Sequence, residues 1–333
     1  MFSFHRHGWP AARIALLLVL VVLPAAHLVY PVFAMEILCF ALFACAFNLL
    51  LGFTGLLSFG HAAFFGVAAY ACGHALREWG WSTEAGVLFG VLCAAGTGLL
   101  MGGLAIRRSG IYFAMITLAL AQLLYFLFLQ APFTHGEDGL QEIPRGSLFG
   151  FIDLHDDLNL YYVVLAVCVG AYLLIARIVD SPFGQVLAAL RDNEPRAISL
   201  GYATARFKLL AFVLSASLAG LAGALKAVVM GFASLTDAHW ATSGLVILMV
   251  LVGGMGTLFG PVVGALIVVF IEHKVGEIGG FLAKATGVSW FAGLGEAVTI
   301  VTGLIFVLCV MAFRRGVVGE ILAWTGSHEI RRR

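Results

Sequence analysis

Side chains able to do chemistry are scarce in this sequence, and the few that interrupt its apolar stretches bound what it can do. Lys226 and Glu296 lie near the ends of long apolar runs, where an ionisable group is a functional candidate by default. Each reads either as a snorkelling side chain that reaches the interface or as a charge awaiting a solute. For Lys226 the solute group would be a carboxylate. His61, next to Gly60 at a helix start, is either a packed hydrogen-bonding histidine or a direct solute contact. Asn48 and Gln122 would cost free energy in lipid, so both should face a bundle interior, lining a path or bonding between helices. With Ser58, beside the same glycine-rich break as His61, these residues (Asn48, Ser58, His61, Gln122, Lys226) form the candidate pathway set. Catalysis finds no support, because no nucleophile–base constellation and no paired carboxylates share a helical face. The phosphate-cradling GxxxxGK[ST] loop is missing too, so the chain is not an ATPase in its own right. The 6 cysteines stand singly, with no CxxC and no Cys/His cluster, so no metal site, disulfide framework or bound cofactor is indicated.

The elements that must hold these residues follow from composition. Of 333 residues, 62% are hydrophobic and 11% charged, against about 25% charged in a typical soluble domain. A net charge of +1 without a basic tract gives nucleic-acid binding no support. Uncharged runs at 14–35, 85–106, 109–136, 158–176 and 209–225 suit a membrane crossing of roughly 20 apolar residues. Two longer runs, 37–76 and 238–271, are broken by glycines at 52–55 and 253–261. Splitting there predicts an all-α polytopic membrane protein of about ten helices, some short or glycine-broken. They fall near 13–30, 33–51, 56–76, 84–106, 110–131, 158–178, 207–231, 241–256, 259–273 and 294–313. The N-terminal run reads as a retained first helix rather than a cleaved leader. Nothing resembles a linker, so residues 1–333 read as a single membrane domain.

Charge bias tests that layout. An even number of crossings puts both termini on one side, and Arg6, Arg13, Arg314 and Arg315 flank the two ends. The same side receives Arg107, Arg108, Arg191, Arg196 and Arg206, whereas the opposite loop, 132–157, is acidic with a single arginine. Lys and Arg accumulate in short cytoplasmic loops, so the termini and loop 181–206 are expected to be cytoplasmic. A faint internal echo, SFGHAAFFG at 58–66 and TLFGPVVGA at 257–265, begins a helix after each break. Paired broken helices occur in transporters, and Gly-rich apolar stretches also match by chance.

The loop 181–206 carries the clearest pattern. Ser181 caps a helix with Pro182 at its first position. Phe183, Val186, Leu187 and Leu190 form its apolar face. Asp192-Asn193 breaks it, and Glu194 caps a short second helix that begins at Pro195 and stops at Gly201. Such a face needs something to pack against, either a partner protein or the membrane surface. Small residues at four-residue spacing (Gly256, Gly260 and Gly264; Ala216, Gly220 and Ala224; Gly98 and Gly102) mark close helix packing or a permease–permease interface.

At this point a resemblance enters. The runs NLLLGFTGLLSFGHAAFFGVAAY, SGIYFAMITLALAQ, SPFGQVLAALRDNEPRAISLGY, KLLAFVLSASLAGLAGAL and HWATSGLVILMVLVGGMGTLFGPVVGAL resemble, in order, the LivM-type permeases of branched-chain amino acid ABC importers. The likeness covers roughly residues 35 to 320. It implies a multi-pass protein of the bacterial inner membrane, paired with a second, LivH-type permease. It also implies two cytoplasmic ATPase subunits that hold ATP and Mg²⁺, and a periplasmic substrate-binding protein. The ATPase-coupling role would fall to Arg191, Glu194, Pro195, Arg196, Ala197 and Gly201, and transport would proceed by alternating access. The family also imports urea, amides, and aromatic or dicarboxylic compounds. The chain departs from the family pattern at 134–139, at Lys226 and at 313–319, and the first two, toward the outside, leave the solute open. An ion-coupled secondary transporter is the alternative of another class, and a purely structural membrane subunit a further one.

Overall fold

The computed structural model describes residues 30–286 together with residues 300, 303, 304, 307, 311 and 316–320. The expected first and last helices lie wholly or largely outside the described residues, as do Arg6, Arg13, Glu296, Arg314 and Arg315. The described chain is helical apart from one short hairpin, β1 (Ser147–Leu148) with β2 (Ile152–Asp153). Its first half comprises α1 (Pro31–Asn48), prolonged by a π-helical stretch (Leu49–Thr54), then α2 (His61–Arg77), α3 (Thr83–Ala105), α4 (Ile111–Gln130) and α5 (Asp157–Asp180). The second half comprises α6 (Pro182–Asp192), α7 (Glu194–Ser199), α8 (Thr204–Met230), α9 (Leu235–Ala238), α10 (Trp240–Gly253) and α11 (Gly260–Thr286).

Among the described residues, five stretches are long and apolar enough to cross a membrane: Pro31–Thr54, Thr83–Ala105, Ile111–Gln130, Asp157–Asp180 and Thr204–Met230. The protein is therefore an all-α multi-pass membrane protein. Two of these form its centre. In Pro31–Thr54 and Thr204–Met230, 83% and 78% of the apolar stretch is buried, against 28%, 22% and 28% in the other three. The outward faces of α3, α4 and α5 expose Leu92, Leu100, Met115, Leu123 and Leu173. Such faces suit hydrocarbon, where apolar exposure carries no penalty.

Small side chains bring the central helices together. A Cβ on Gly220 of α8 would overlap Ala94 of α3, and one on Gly98 would come within 2.6 Å of Ala216. Gly223 packs directly on the backbone of Phe65 in α2. The stripe expected through Gly256, Gly260 and Gly264 divides differently. α10 ends at Gly253, and Gly254 takes φ 124°, a conformation that L side chains avoid, so the helix cannot continue to 256. Gly256, at φ 76°, lies in the link, while Gly260 and Gly264 begin α11. Likewise α2 starts at His61, five residues later than the expected 56, because α1 runs on to Thr54 and turns at Gly55.

The described helices thus place two connections at opposite ends of α5: residues 131–156 at one end, and the short helices α6 and α7 at the other. Gly264 and Gly96 separate packing from propensity. A Cβ on Gly264 would overlap the Met249 carbonyl, whereas Gly96 has nothing within 4 Å. Gly264→Ala should cost about 1–3 kcal/mol through overpacking, while Gly96→Ala should be neutral or stabilising by roughly 0.5–1 kcal/mol. Thermal unfolding of the detergent-purified chain reads both.

Candidate functional site

Two polar centres stand out in this apolar bundle, one at each end. At the α6–α7 end the two helix breaks meet. Asn48, on the last turn of α1, donates from Nδ2 to the Thr257 carbonyl at 2.8 Å and accepts at Oδ1 from the Gly256 amide at 3.0 Å. One side-chain amide therefore satisfies a donor and an acceptor of the unwound α10–α11 link. Thr257 completes the turn: its hydroxyl donates to the Gly254 carbonyl at 2.8 Å and accepts from the Gly260 amide at 3.0 Å. Gly52 approaches Gly256 so closely that a Cβ would overlap Asn48 Oδ1 and come within 2.7 Å of the Gly256 nitrogen. Arg191, at the end of α6, reaches into this junction and donates to the Gly52 carbonyl.

The 181–203 segment is built much as its sequence reads, with two differences. Ser181 caps α6, accepting from the Gly184 amide at 3.3 Å. The cap of α7 is Asn193, accepting from the Arg196 amide at 3.0 Å, and not Glu194. Freed from capping, Glu194 pairs with Lys208 of α8 at 2.5 Å. The second difference is the apolar face. Leu187 and Leu190 are buried against Ala197 and Ala211, with Phe183, Val186 and Phe207 packed around them. The chain itself covers that face. α7 ends in a Schellman turn, the Tyr202 amide bonding the Ala197 carbonyl and the Gly201 amide that of Ile198. What it leaves exposed is Pro195, Arg196 and Gly201, with Ile198 at 56% and Leu200 at 70%.

At the opposite end, Lys226 on α8 forms an ion pair with Asp237 of α9 at 2.5 Å, their side chains 9% and 6% exposed. The ammonium also lies 5.2 Å from the centre of the Phe232 ring. Asp237 is held from its other oxygen by the amide and hydroxyl of Ser234, each at 3.1 Å, which closes the turn entering α9. Glu36 of α1 pairs with His273 of α11 at 3.1 Å and lies within electrostatic reach of both Lys226 and Asp237. The hydroxyl of Tyr70, buried on α2, has no hydrogen-bond partner among the described residues, and Asp237 and Tyr125 are within electrostatic reach of it. Above this centre, Leu140 pairs with Ala233 through two backbone hydrogen bonds of 2.9 and 2.8 Å. Arg145 bonds Asp157 and the Val229 carbonyl, each at 2.7 Å.

The remaining candidates are dispersed. His61 is fully buried among Phe43, Phe47, Phe64 and Phe212. Its Nε2 bonds Ser215 Oγ at 2.8 Å, and that hydroxyl donates to the Ala46 carbonyl at 2.5 Å, which ties α1, α2 and α8 together. Ser58 accepts from the Gly60 amide at 3.3 Å within its own turn. Gln122 is half-buried on α4. The pathway residues therefore do not share one cavity: Asn48 belongs to the α6–α7 end, Lys226 to the other, and His61 to the packed middle. Sequence reading missed Asp237, Lys208, Asn193 and Arg145. The first sits just outside the apolar run that starts at 238, where only an unpaired Lys226 hinted at a partner.

Comparison with known proteins follows the same lines. Residues 32–313 match the family described as branched-chain amino acid transport system, permease component. The high-affinity branched-chain amino acid transport system permease protein LivM of Escherichia coli (strain K12) is 31% identical over 266 residues, covering 71% of this chain and 63% of that protein. LivM of Salmonella typhimurium is 30% identical over the same shares. The autoinducer 2 import system permease protein LsrC of Klebsiella pneumoniae is 30% identical over 193 residues, 55% of this chain and 52% of its own. The chain spans less than two thirds of the length of these curated relatives. No solved structure matches.

The buried pair gives a test of the site. Removing one partner strands the other charge, so Lys226→Met should destabilise the protein by about 3–5 kcal/mol. Adding Asp237→Asn, which can still accept from Ser234, should recover most of that loss. Thermal unfolding in detergent measures both; equal losses in the single and double variants would mean that the two residues are not coupled.

Proposed function

As the chain belongs to the branched-chain amino acid transport system permease family, we propose that it is the membrane permease subunit of an ATP-driven importer. It carries branched-chain or related amino acids into the bacterial cytoplasm by alternating access. The whole chain acts as one inner-membrane domain of about ten spans. Both termini and residues 181–206 face the cytoplasm, and residues 132–157 face the periplasm. ATP and Mg²⁺ bind in two separate ATPase subunits. A second, LivH-type permease completes the path, and a periplasmic binding protein delivers the solute. Asn48, Ser58, His61, Gln122 and Lys226 are the path residues of this reading, spread along the subunit rather than gathered around one cavity.

The observation that carries this reading is the mechanical continuity of the 181–203 segment with the broken helices. Arg191 grips the Gly52 carbonyl, Asn48 grips the link at 256–257, and Glu194 grips Lys208 of α8. A push on α7 would therefore be delivered to three membrane helices at once. The apolar face of α6 is already covered by the chain's own residues, so the docking surface is the exposed tip, with Pro195, Arg196, Ile198, Leu200 and Gly201. An ATPase groove is the occupant this reading assigns to it.

The test uses an exposed side chain and leaves the backbone bond from Leu200 to the Arg196 carbonyl in place. Leu200→Glu places a charge at the exposed tip and leaves the Glu194–Lys208 pair intact. In detergent extracts, an ATPase and a second permease should accompany the wild type, and the ATPase alone should be lost from the variant. An ATPase retained by the variant would remove α7 from the docking surface. If no ATPase accompanies either form and the reconstituted chain transports on a proton or sodium gradient, the protein is a secondary transporter and the ATP-driven reading is wrong.

A further inference from the structure

We propose that the Lys226–Asp237 pair, with the Tyr70 hydroxyl, is a recognition site for the charged ends of a zwitterionic amino acid, which enters by exchanging partners with the pair. This inference rests on the importer reading and narrows its solute class. Three observations converge on it. The pair is buried, 2.5 Å apart, and lies where the chain re-enters the bundle between α8 and α10. The Tyr70 hydroxyl, within electrostatic reach of Asp237, is buried without a hydrogen-bond partner among the described residues, and a group left in that state marks a place where a partner is missing. Finally, Glu36 adds a further carboxylate within reach of both members of the pair, which favours an incoming ammonium.

The exchange has a charge requirement that selects the ligand. Pulling Lys226 from Asp237 in a low-dielectric setting leaves two unpaired charges, which is prohibitive unless each finds a replacement. An amino acid supplies both from one small neutral molecule: its carboxylate meets the Lys226 ammonium and its ammonium meets Asp237. The net charge of the site does not change. The Tyr70 hydroxyl, which lies toward Asp237, then accepts from the substrate ammonium, and the face of Phe232 beside Lys226 is left to the aliphatic part. Urea and neutral amides carry no charge and cannot replace either member. A dicarboxylate would satisfy Lys226 but would set a second carboxylate against Asp237 and Glu36. Of the solutes handled by importers of this kind, the site fits the zwitterion.

The experiment measures thermal stabilisation of the intact, detergent-purified assembly by L-leucine, 4-methylpentanoate, 3-methylbutylamine and urea, with co-purifying ATPase scored in parallel. In the wild type, leucine alone should raise the melting temperature. Tyr70→Phe, which removes one hydroxyl, should need roughly tenfold more leucine. Lys226→Met with Asp237→Asn should fold, retain its ATPase and lose the leucine response. Stabilisation of the double variant equal to the wild type would overturn the site while leaving the importer reading intact. So would an equal response to 4-methylpentanoate, or no response of the wild type to leucine. Absence of the ATPase from the wild type would sink the importer reading, and this inference with it.

Discussion

Within hydrocarbon every backbone amide and carbonyl must find a partner inside the protein, and this chain breaks its helices twice at the same depth. α1 loosens into a π-helical turn that ends at Gly55, and α10 stops at Gly253 with six residues of link before α11. Each break frees backbone groups that a continuous helix would have paired. The Asn48 side chain answers for one donor and one acceptor of the second break, and Arg191 takes the Gly52 carbonyl of the first. Placing the breaks face to face lets these few polar side chains serve both. It also explains the composition of the contact: at Gly52 any larger residue would drive into Asn48, whose amide is already engaged. The relative positions of α1, α10 and α11 follow from this one requirement.

α8 carries the consequence across the membrane. It holds two buried lysines, each committed to a carboxylate at 2.5 Å: Lys208 to Glu194 in the short helix α7, and Lys226 to Asp237 in the turn before α10. Eighteen residues separate them (226 − 208), about 27 Å along a helix. Between them the rod is clamped by Gly220 and Gly223 against α3 and α2, and by Ser215 into the His61 and Ala46 contacts. A packed helix of this kind transmits displacement rather than absorbing it, because close-packed interiors have little room to deform. A movement of α7 therefore has a direct material route to the ion pair at the far end.

The sequence disclosed more of the scaffold than of the polar centres. Long helices were legible because uncharged runs of membrane length admit few other structures, and the breaks were legible because Gly52, Gly55, Gly253 and Gly254 interrupt them. Asn193 went unread as a cap because Glu194 stood next to a helix-starting proline, although asparagine is the stronger N-cap. The face of α6 was read as an unmet surface because its cover, Phe207 and Ala211, lies on α8 beyond a turn that sequence spacing does not fix. The partner of Lys226 was hidden for a similar reason. Asp237 is eleven residues along the chain and comes beneath the lysine only because residues 231–239 fold back into the bundle. Periodicity reports which face of a helix is apolar, and it carries no information on where the chain turns back.

The contacts around the ion pair differ in how far each is shielded from water. The Leu140–Ala233 bridge is two backbone hydrogen bonds of 2.9 and 2.8 Å between residues that are both fully buried. Arg145 is the wetter contact, bonding Asp157 in a partly exposed setting and the Val229 carbonyl near the end of α8. The Lys226–Asp237 pair is shielded from water, where separation without replacement is costly. Of these contacts the ion pair is the one that, on the proposal made above, yields only to a molecule that brings charge of its own.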